Sequence, residues 1–135
     1  MANNLYEHIT LLLVEDNAVN RMIGTALLQK WGFKVLHAEN GEEAVKKVNV
    51  EKIDVVLMDI HMPYMDGLEA TKAIRNMENQ EKQNLPIIAL TASSLESDTE
   101  SYLAGGMDSC VIKPFKDTVL IGAIKEALYK RGIEI

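Results

Sequence analysis

Three acidic residues follow two strongly apolar segments of the chain. Asp59 comes directly after residues 53–58 (IDVVLM), and Glu15 and Asp16 come directly after residues 9–14 (ITLLLV). An acid in that position lies where a buried strand meets a loop, open to a ligand. If the two strands are neighbours, the three carboxylates converge at one edge of the sheet, which is costly unless a cation binds between them.

Two further polar residues, Thr91 and Lys113, fall at or just beyond the ends of later apolar segments. Oxygen ligands from Asp16 and Asp59, supported by Glu15, suit Mg²⁺, which keeps several waters and also accepts phosphate oxygens. Lys113 supplies a positive charge and Thr91 a hydroxyl donor for the same oxygens. Such a set can move a phosphoryl group onto a carboxylate, because this chemistry needs positioning and charge neutralisation more than proton transfer.

Each of these residues also has a purely structural interpretation. Glu15 and Asp16 could cap the helix that follows them, and Thr91 could cap another. Asp59 could be a turn acid and Lys113 a solvated charge. The functional interpretation rests on their coincidence at strand ends, which is far harder to obtain by chance than any one residue.

The elements that position these residues follow from the pattern of apolar residues. Short apolar segments, several of them continuously apolar as in strands covered on both faces, alternate with longer segments of helical period. The predicted strands are residues 9–14, 33–38, 53–58, 86–90 and 109–112. The predicted helices are residues 18–31, a segment that begins after Asn40, residues 67–77, residues 93–103, and a segment with an apolar stripe from Leu120 to Leu128; residues 76–84 are expected to form a loop.

Two of these helices have distinctive faces. In the first, one apolar face is formed by Val19, Met22, Ile23, Ala26 and Leu27. In the fourth, Ser, Thr and acids dominate, and the apolar face is limited to Leu95, Tyr102 and Leu103. The fourth helix is therefore either a solvated surface helix or a loosely held, movable element.

Five repeats of strand then helix predict an α/β fold with a doubly wound, five-stranded parallel sheet, helices on both faces and right-handed crossovers. Ligands of such sheets bind beyond the carboxyl ends of the strands, where the strand order reverses. The acids at 15, 16 and 59, together with Thr91 and Lys113, all fall at such ends.

The size, charge and cysteine content of the chain exclude some classes of function. The chain has 135 residues, a size expected for one domain, and its net charge of -6 argues against a nucleic-acid partner. The single cysteine, Cys110, fits a reducing compartment. Because no apolar run approaches the ~20 residues of a membrane span and residues 1–8 lack a signal-peptide core, we expect a cytoplasmic protein without membrane contact.

Four motifs, in order and at matching spacing, resemble the receiver domain of two-component response regulators: LVEDN at 13–17, LMDIHMPYMDG at 57–67, ALTA at 89–92 and IKPF at 112–115. The resemblance extends from residue 9 to about residue 130. It implies a flavodoxin-like strand order of 2-1-3-4-5. The segment VEDNAVNR at 14–21 looks most like receivers attached to hybrid sensor histidine kinases.

The resemblance also implies a role for each site residue. Asp59 would accept a phosphoryl group from a phosphohistidine, carried by a histidine kinase or a histidine phosphotransfer protein. Asp16, Asp59 and the main-chain carbonyl of His61 would hold Mg²⁺, and Glu15 would mainly hold metal-bound water. A receiver catalyses its own phosphorylation and dephosphorylation without turning over a separate substrate, so whether the chain counts as an enzyme is left open.

Other implications concern the phosphoryl group and the switch. Thr91, the amide of Ala92 and Lys113 would bind the phosphoryl oxygens, and the Lys113–Pro114 bond would be cis. The family usually carries Tyr or Phe at the position of Cys110, an aromatic ring that turns inward when Thr91 moves. Because a cysteine is too small for that role, we expect either that the active state is favoured by less free energy or that the signal leaves through the helix at residues 93–103 instead.

Three other classes of protein fit the sequence less well than a receiver does. A flavin-binding module of the same sheet order needs a loop that cradles phosphate after the first strand, where Glu15 and Asp16 would repel it. Phosphatases with an aspartyl nucleophile carry Asp-x-Asp after the first strand, whereas these two acids are adjacent. A degenerate receiver that serves only as a scaffold would lack some of the key residues, all of which are present here.

We expect an N-terminal extension at residues 1–8, a receiver domain at residues 9–131 and a C-terminal tail at residues 132–135. The sequence leaves open whether the receiver stands alone or is a segment of a longer protein. It also leaves open the cognate kinase and the oligomeric state, including a homodimer.

Overall fold

A computed structural model describes residues 6–133. Its elements are β1 Thr10–Val14, α1 Ala18–Lys30, β2 Lys34–Ala38, α2 Gly41–Val50, β3 Val55–Asp59, α3 Gly67–Arg75, α4 Gln80–Gln83, β4 Ile87–Thr91, α5 Glu96–Ala104, β5 Ser109–Ile112 and α6 Asp117–Lys130. Over the described part of the chain, no helix combines the length and the hydrophobicity needed to cross a bilayer.

The five strands form one parallel sheet in the order β2-β1-β3-β4-β5, which confirms the doubly wound fold expected from the sequence. Strand order reverses between β1 and β3, so the chain leaves these two neighbours toward opposite sides of the sheet. β3 and β4 are buried along their whole length because a layer of apolar residues covers each face of the sheet. The apolar stripe of α6 forms part of one layer, as predicted.

The ends of the predicted strands lie within two residues of the observed ends. The predictions for two other segments differ from the structure. The loop expected at residues 76–84 contains the single-turn helix α4, which is too short to give a periodic signal. The fourth predicted helix begins at Glu96 rather than Ser93. The expected extension at residues 1–8 and tail at residues 132–135 lie partly outside the described residues, and the limits of the domain stay a prediction.

Most of the apolar face of α1 does not pack on the sheet, and of its five residues only Leu27 packs against a core layer. Val19, Met22 and Ile23 are more than half exposed, and the buried residues of α1 are Gly24 and Leu28. A Cβ at position 24 would come within 2.9 Å of Leu13 on β1, so the glycine allows the helix to lie close to the sheet on that side. The close approach turns the apolar stripe outward.

Arg75, at the end of α3, joins several elements at the amino ends of β4 and β5. Its guanidinium donates to the carbonyls of Gln83 and Leu85, each at 2.7 Å, and to the carbonyl of Gly106 at 2.9 Å. It also pairs at 3.0 Å with Asp108, whose carboxylate accepts the Ile87 amide proton at 2.7 Å. One half-buried arginine therefore connects the elements at this end of the sheet.

Candidate functional site

The three acids meet at the carboxyl ends of β1 and β3, as the sequence predicts. The two strands are direct neighbours, with Val14 beside Met58, so the residues that follow them lie side by side. Carboxylate oxygens of Glu15, Asp16 and Asp59 all lie within 4.8 Å of one another. Glu15 and Asp59 are buried, at 4% and 7% exposure, whereas Asp16 is exposed, so the site has a buried floor and an open side.

The turn after β1 is held in place by the first residues of α1. Asn17 caps the helix by accepting the Asn20 amide proton at 3.0 Å. Arg21 donates to the carbonyl of Glu15 at 2.9 Å and lies 3.4 Å from Glu39. This capped start of α1 leaves the Glu15 side chain pointing along the sheet edge toward Asp59.

Lys113 follows the edge strand β5, and its side chain reaches across β4 to this acidic pair. Its Nζ lies 3.0 Å from Glu15 Oε2 and 3.3 Å from Asp59 Oδ1, although β5 is separated from β3 by β4. Its backbone amide donates to the carbonyl of Thr91 at 2.7 Å, and the Lys113–Pro114 bond is cis, as predicted. Burial would lower the pKa of Lys113, but the hydrogen bond to Glu15 and the charges of Asp59 and Glu15 outweigh it and raise the pKa.

The carboxyl group of Asp59 is held in an unfavourable environment for its charge. Burial, which is the largest cause, together with the nearby charge of Glu15, raises the pKa of Asp59 from 3.8 to about 6, even though Lys113 acts in the opposite direction. Two buried carboxylates therefore share one cation. A second cation beside Asp16 would restore the balance of charge at this edge.

The loop after β3 is held against Asp59 by Gly67, the first residue of α3. A Cβ at position 67 would collide with the main-chain carbonyl of Asp59, and the Gly67 amide donates to the carbonyl of Ile60 at 2.9 Å. A reciprocal capping box between Asp66 and Glu69 starts α3 just behind this contact. His61 lies in this loop, two residues beyond Asp59, with an exposed side chain. Its role as a ligand through its main-chain carbonyl stays a prediction.

Thr91 lies at the end of β4, the strand beside β3, and is 1% exposed. Its Oγ1 accepts the Ser93 amide proton at 3.1 Å and lies 3.3 Å from the hydroxyl of Tyr102 on α5. Ala92, the next residue, is exposed and lines a cavity of about 460 Å³ together with Glu15 and Lys113. The structure thus collects every predicted residue at one sheet edge, except the switch position Cys110, which lies within β5 under α5.

Sequence reasoning missed two features of this neighbourhood. One is the contact of Tyr102 with Thr91: the tyrosine was recognised as part of the small apolar face of its helix, but not as a neighbour of Thr91. The other is the wall of the cavity beside Lys113, which is formed by Ile23, Leu27 and Phe115. The stripe on α1 was recognised, but not that it faces outward beside the acids.

A doubly wound parallel sheet with three carboxylates and a lysine beyond its carboxyl ends defines a class of small acidic α/β domains with a site for a cation and an anion. The family model for the response regulator receiver domain matches residues 11–125. The chain belongs to this family and is a receiver domain of two-component signalling.

Relatives and solved structures agree with this assignment. The chain is 37% identical over 133 residues to "Probable histidine kinase 1" of Oryza sativa subsp. indica, a match that covers 77% of this chain and 14% of that protein. It is 45% identical over 106 residues to "Two-component system protein A" of Emericella nidulans, covering 76% of this chain and 15% of that protein. The chain therefore spans about one seventh of the length of these relatives.

Two solved structures have the same fold. The receiver domain of a sensor histidine kinase from Pseudomonas aeruginosa PAO1, crystallised with a magnesium ion coordinated in its active-site cleft, has a TM-score of 0.82 and 38% identity, covering 90% of this chain and 98% of that one. A chemotaxis protein of Vibrio cholerae has a TM-score of 0.81 and 30% identity, covering 89% of this chain and 98% of that one.

Proposed function

We propose that this receiver domain takes a phosphoryl group from a phosphohistidine onto Asp59, and that the modified site alters the contacts of the domain with other proteins. The observation that carries this proposal is the position of the Asp59 carboxylate. It lies 3.3 Å from Lys113 on one side and within 4.8 Å of the two other carboxylates on the other. Of the three acids, it alone ends the central strand β3.

Asp59 acts as the nucleophile and Glu15 does not. Glu15 is already engaged through both oxygens, because Oε2 accepts from Lys113 at 3.0 Å and Oε1 accepts from the Asn17 amide at 3.4 Å. In the transfer, a P–O bond to the Asp59 carboxylate forms as the P–N bond to the donor imidazole breaks, and the imidazole leaves with the electron pair. No proton has to reach or leave Asp59, so positioning and charge neutralisation are the main requirements.

The residues fit a magnesium ion, because hard carboxylate oxygens converge from three side chains and one side of the cluster is open to water. Asp16, Asp59 and the main-chain carbonyl of His61 would hold the ion, and Glu15 would hold it through water. When bound, Mg²⁺ offsets the negative charge of the carboxylates and of the phosphoryl oxygens. Lys113, the Thr91 hydroxyl and the Ala92 amide would bind the phosphoryl oxygens from the side of β4 and β5.

The donor is a histidine kinase or a histidine phosphotransfer protein, and the outward face of α1 is where it docks. Val19, Met22 and Ile23 are exposed, and the cavity lined by Ile23 and Phe115 leads to Glu15 and Lys113. An apolar helical surface laid on this face would bring its histidine to the open side of the site. A cytoplasmic place of action, expected from the sequence, is part of this proposal.

Intact-mass analysis after incubation with acetyl phosphate and Mg²⁺ tests the assignment. The parent should gain the mass of one phosphoryl group, and Asp59→Asn should gain none. Glu78→Gln, at an exposed acid between α3 and α4, is the matched control and should be labelled like the parent. Labelling of Asp59→Asn, or undiminished labelling of the parent in excess chelator, would contradict the proposal.

The docking face has its own test. Met22→Asp, on the same exposed face but outside the cavity beside Lys113, should slow transfer from a phosphorylated histidine phosphotransfer protein and leave labelling by acetyl phosphate unchanged. Val50→Asp, at an exposed apolar position on α2, is the control and should affect neither reaction. Equal rates of protein-to-protein transfer for both variants would show that the partner binds elsewhere.

A further inference from the structure

Tyr102 links α5 to the functional site. Within α5, all of whose residues are described, Tyr102 alone is buried, at 6% exposure, and its ring packs in the core layer that also contains Met58 and Ala89. Its hydroxyl lies 3.3 Å from Thr91 Oγ1, in a buried environment. The hydroxyl proposed to bind the phosphoryl group therefore already has a neighbour that competes for it.

The contact between the two hydroxyls is weak and exchangeable. A separation of 3.3 Å is longer than the roughly 2.5–3.0 Å usual for bonds between hydroxyl oxygens. Thr91 has one proton to donate, and its oxygen already accepts the Ser93 amide proton at 3.1 Å. Asp59 ends β3, on one side of β4, whereas α5 leads into β5 on the other side, so a Thr91 hydroxyl that turns toward an anion on Asp59 should move away from Tyr102.

α5 depends on few contacts besides this one. No side-chain hydrogen bond caps its start at Leu95, and both Leu95 and Leu103 are exposed. A second connection runs from Ser93, whose hydroxyl donates to Asp98 in the first turn at 2.6 Å and whose amide is bound to Thr91. Both connections from the site to α5 thus pass through the Thr91 hydroxyl.

We infer that Tyr102 is a positioning residue that holds the Thr91 hydroxyl in the resting protein, and that a phosphoryl group on Asp59 releases α5 by drawing this hydroxyl away. The inference rests on the function proposed above. It assigns to the tyrosine on α5 the coupling that the small side chain of Cys110 cannot provide from β5. Cys110 packs against the same core layer as Tyr102.

Coupling of this kind is reciprocal. If the modified site weakens the bond between Thr91 and Tyr102, that bond must weaken binding at the site by the same factor. Tyr102→Phe keeps the ring in the core and removes the hydroxyl. It should therefore lower the apparent Kd for beryllofluoride, a phosphoryl mimic that needs Mg²⁺, by roughly 3- to 10-fold, the value of one hydrogen bond. A purely structural role would leave that Kd unchanged or raise it.

The experiment compares beryllofluoride titrations with Mg²⁺ for the parent, Tyr102→Phe and Tyr6→Phe. Tyr6 is a matched control, because it is a buried tyrosine stacked on Phe33 in the other core layer. Amide hydrogen exchange of residues 96–104 is followed in the same samples. It should speed up in the parent when the mimic binds, and should already be fast in Tyr102→Phe without the mimic.

The outcomes separate the two proposals. If the parent binds no beryllofluoride, the proposed function fails and the coupling fails with it. If the parent binds but Tyr102→Phe and Tyr6→Phe behave like the parent, the coupling alone is refuted. A structure of the parent with the mimic provides a readout that needs no variant: the Thr91–Tyr102 oxygen distance should exceed hydrogen-bonding range, and an unchanged distance would overturn the inference.

Discussion

Asp59→Asn should stabilise the metal-free protein above neutral pH and leave its stability almost unchanged near pH 4. Burial and the charge of Glu15 raise the pKa of Asp59 to about 6, and asparagine has the shape of the carboxyl group without its charge. The ion pair between Lys113 and Glu15 at 3.0 Å remains in the variant, so the lysine keeps a partner. Only the ionisation that the fold opposes is removed.

The magnitude follows from the two pKa values of Asp59. The unfolded chain releases this proton near pH 3.8 and the folded protein near pH 6, so between those values the folded state binds more protons and loses stability as pH rises. A difference of about two units corresponds to about 3 kcal/mol, present in full above pH 6 and absent below the unfolded value. For a domain of this size, that is a difference in Tm of roughly 10 °C.

Thermal melts of the parent and Asp59→Asn at pH 4.5, 6 and 8 in excess chelator measure this difference. The gap between the two proteins should widen with pH, and saturating Mg²⁺ should close most of it by binding the folded parent. Glu78→Gln, an exposed acid, should follow the parent at every pH. A gap that is the same at pH 4.5 and pH 8 would show that the surroundings of Asp59 do not oppose its charge.

Three further predictions concern neighbouring residues. Asp16→Ala should raise the metal-free Tm and remove most of the response to Mg²⁺ in melting curves, and a variant that responds like the parent would mean that Asp16 does not share the site. Lys113→Met should lower the free energy of unfolding, measured by urea denaturation at pH 8, by on the order of 3 kcal/mol, because it leaves two buried carboxylates without their cation. The loss should be smaller near pH 5, where Asp59 is protonated, and equal losses at the two pH values would count against the ion pairs. Gly67→Ala should lower the free energy of unfolding by about 2 kcal/mol and slow labelling by acetyl phosphate, because the new Cβ collides with the Asp59 carbonyl. Labelling and stability like those of the parent would show that the loop relaxes freely.

The sheet and its acidic edge could be predicted because both depend on local signals. Continuous apolar runs mark strands buried on both faces, and the residue that follows such a run has to emerge at a strand end. Glu15, Asp59 and Lys113 were therefore located by the same pattern that located β1, β3 and β5. Their pairing across β4 follows once the strand order is known.

Features that depend on tertiary packing could not be predicted in the same way. The direction in which α1 faces is decided by the contact of Gly24 with Leu13, and nothing in the apolar stripe of the helix records that contact. The bond between Thr91 and Tyr102 joins a strand end to a residue eleven positions further along the chain, and the mostly polar helix that carries Tyr102 gives little periodic signal. Both of the features that were not predicted depend on contacts between two elements that are distant in the sequence.

The two ends of α5 are held by different contacts. Its carboxyl end leads to Gly106, whose carbonyl is held by Arg75 and whose φ of 108° places a sharp turn there. Its amino end follows the short turn at Ser93, whose amide donates to Thr91 and whose hydroxyl donates to Asp98, whereas the contact of Tyr102 with Thr91 lies nearer the carboxyl end. The nine residues of α5 span roughly 13 Å, so if the helix turned by about 10° around the end held by the arginine, its amino end would move about 2 Å across the surface.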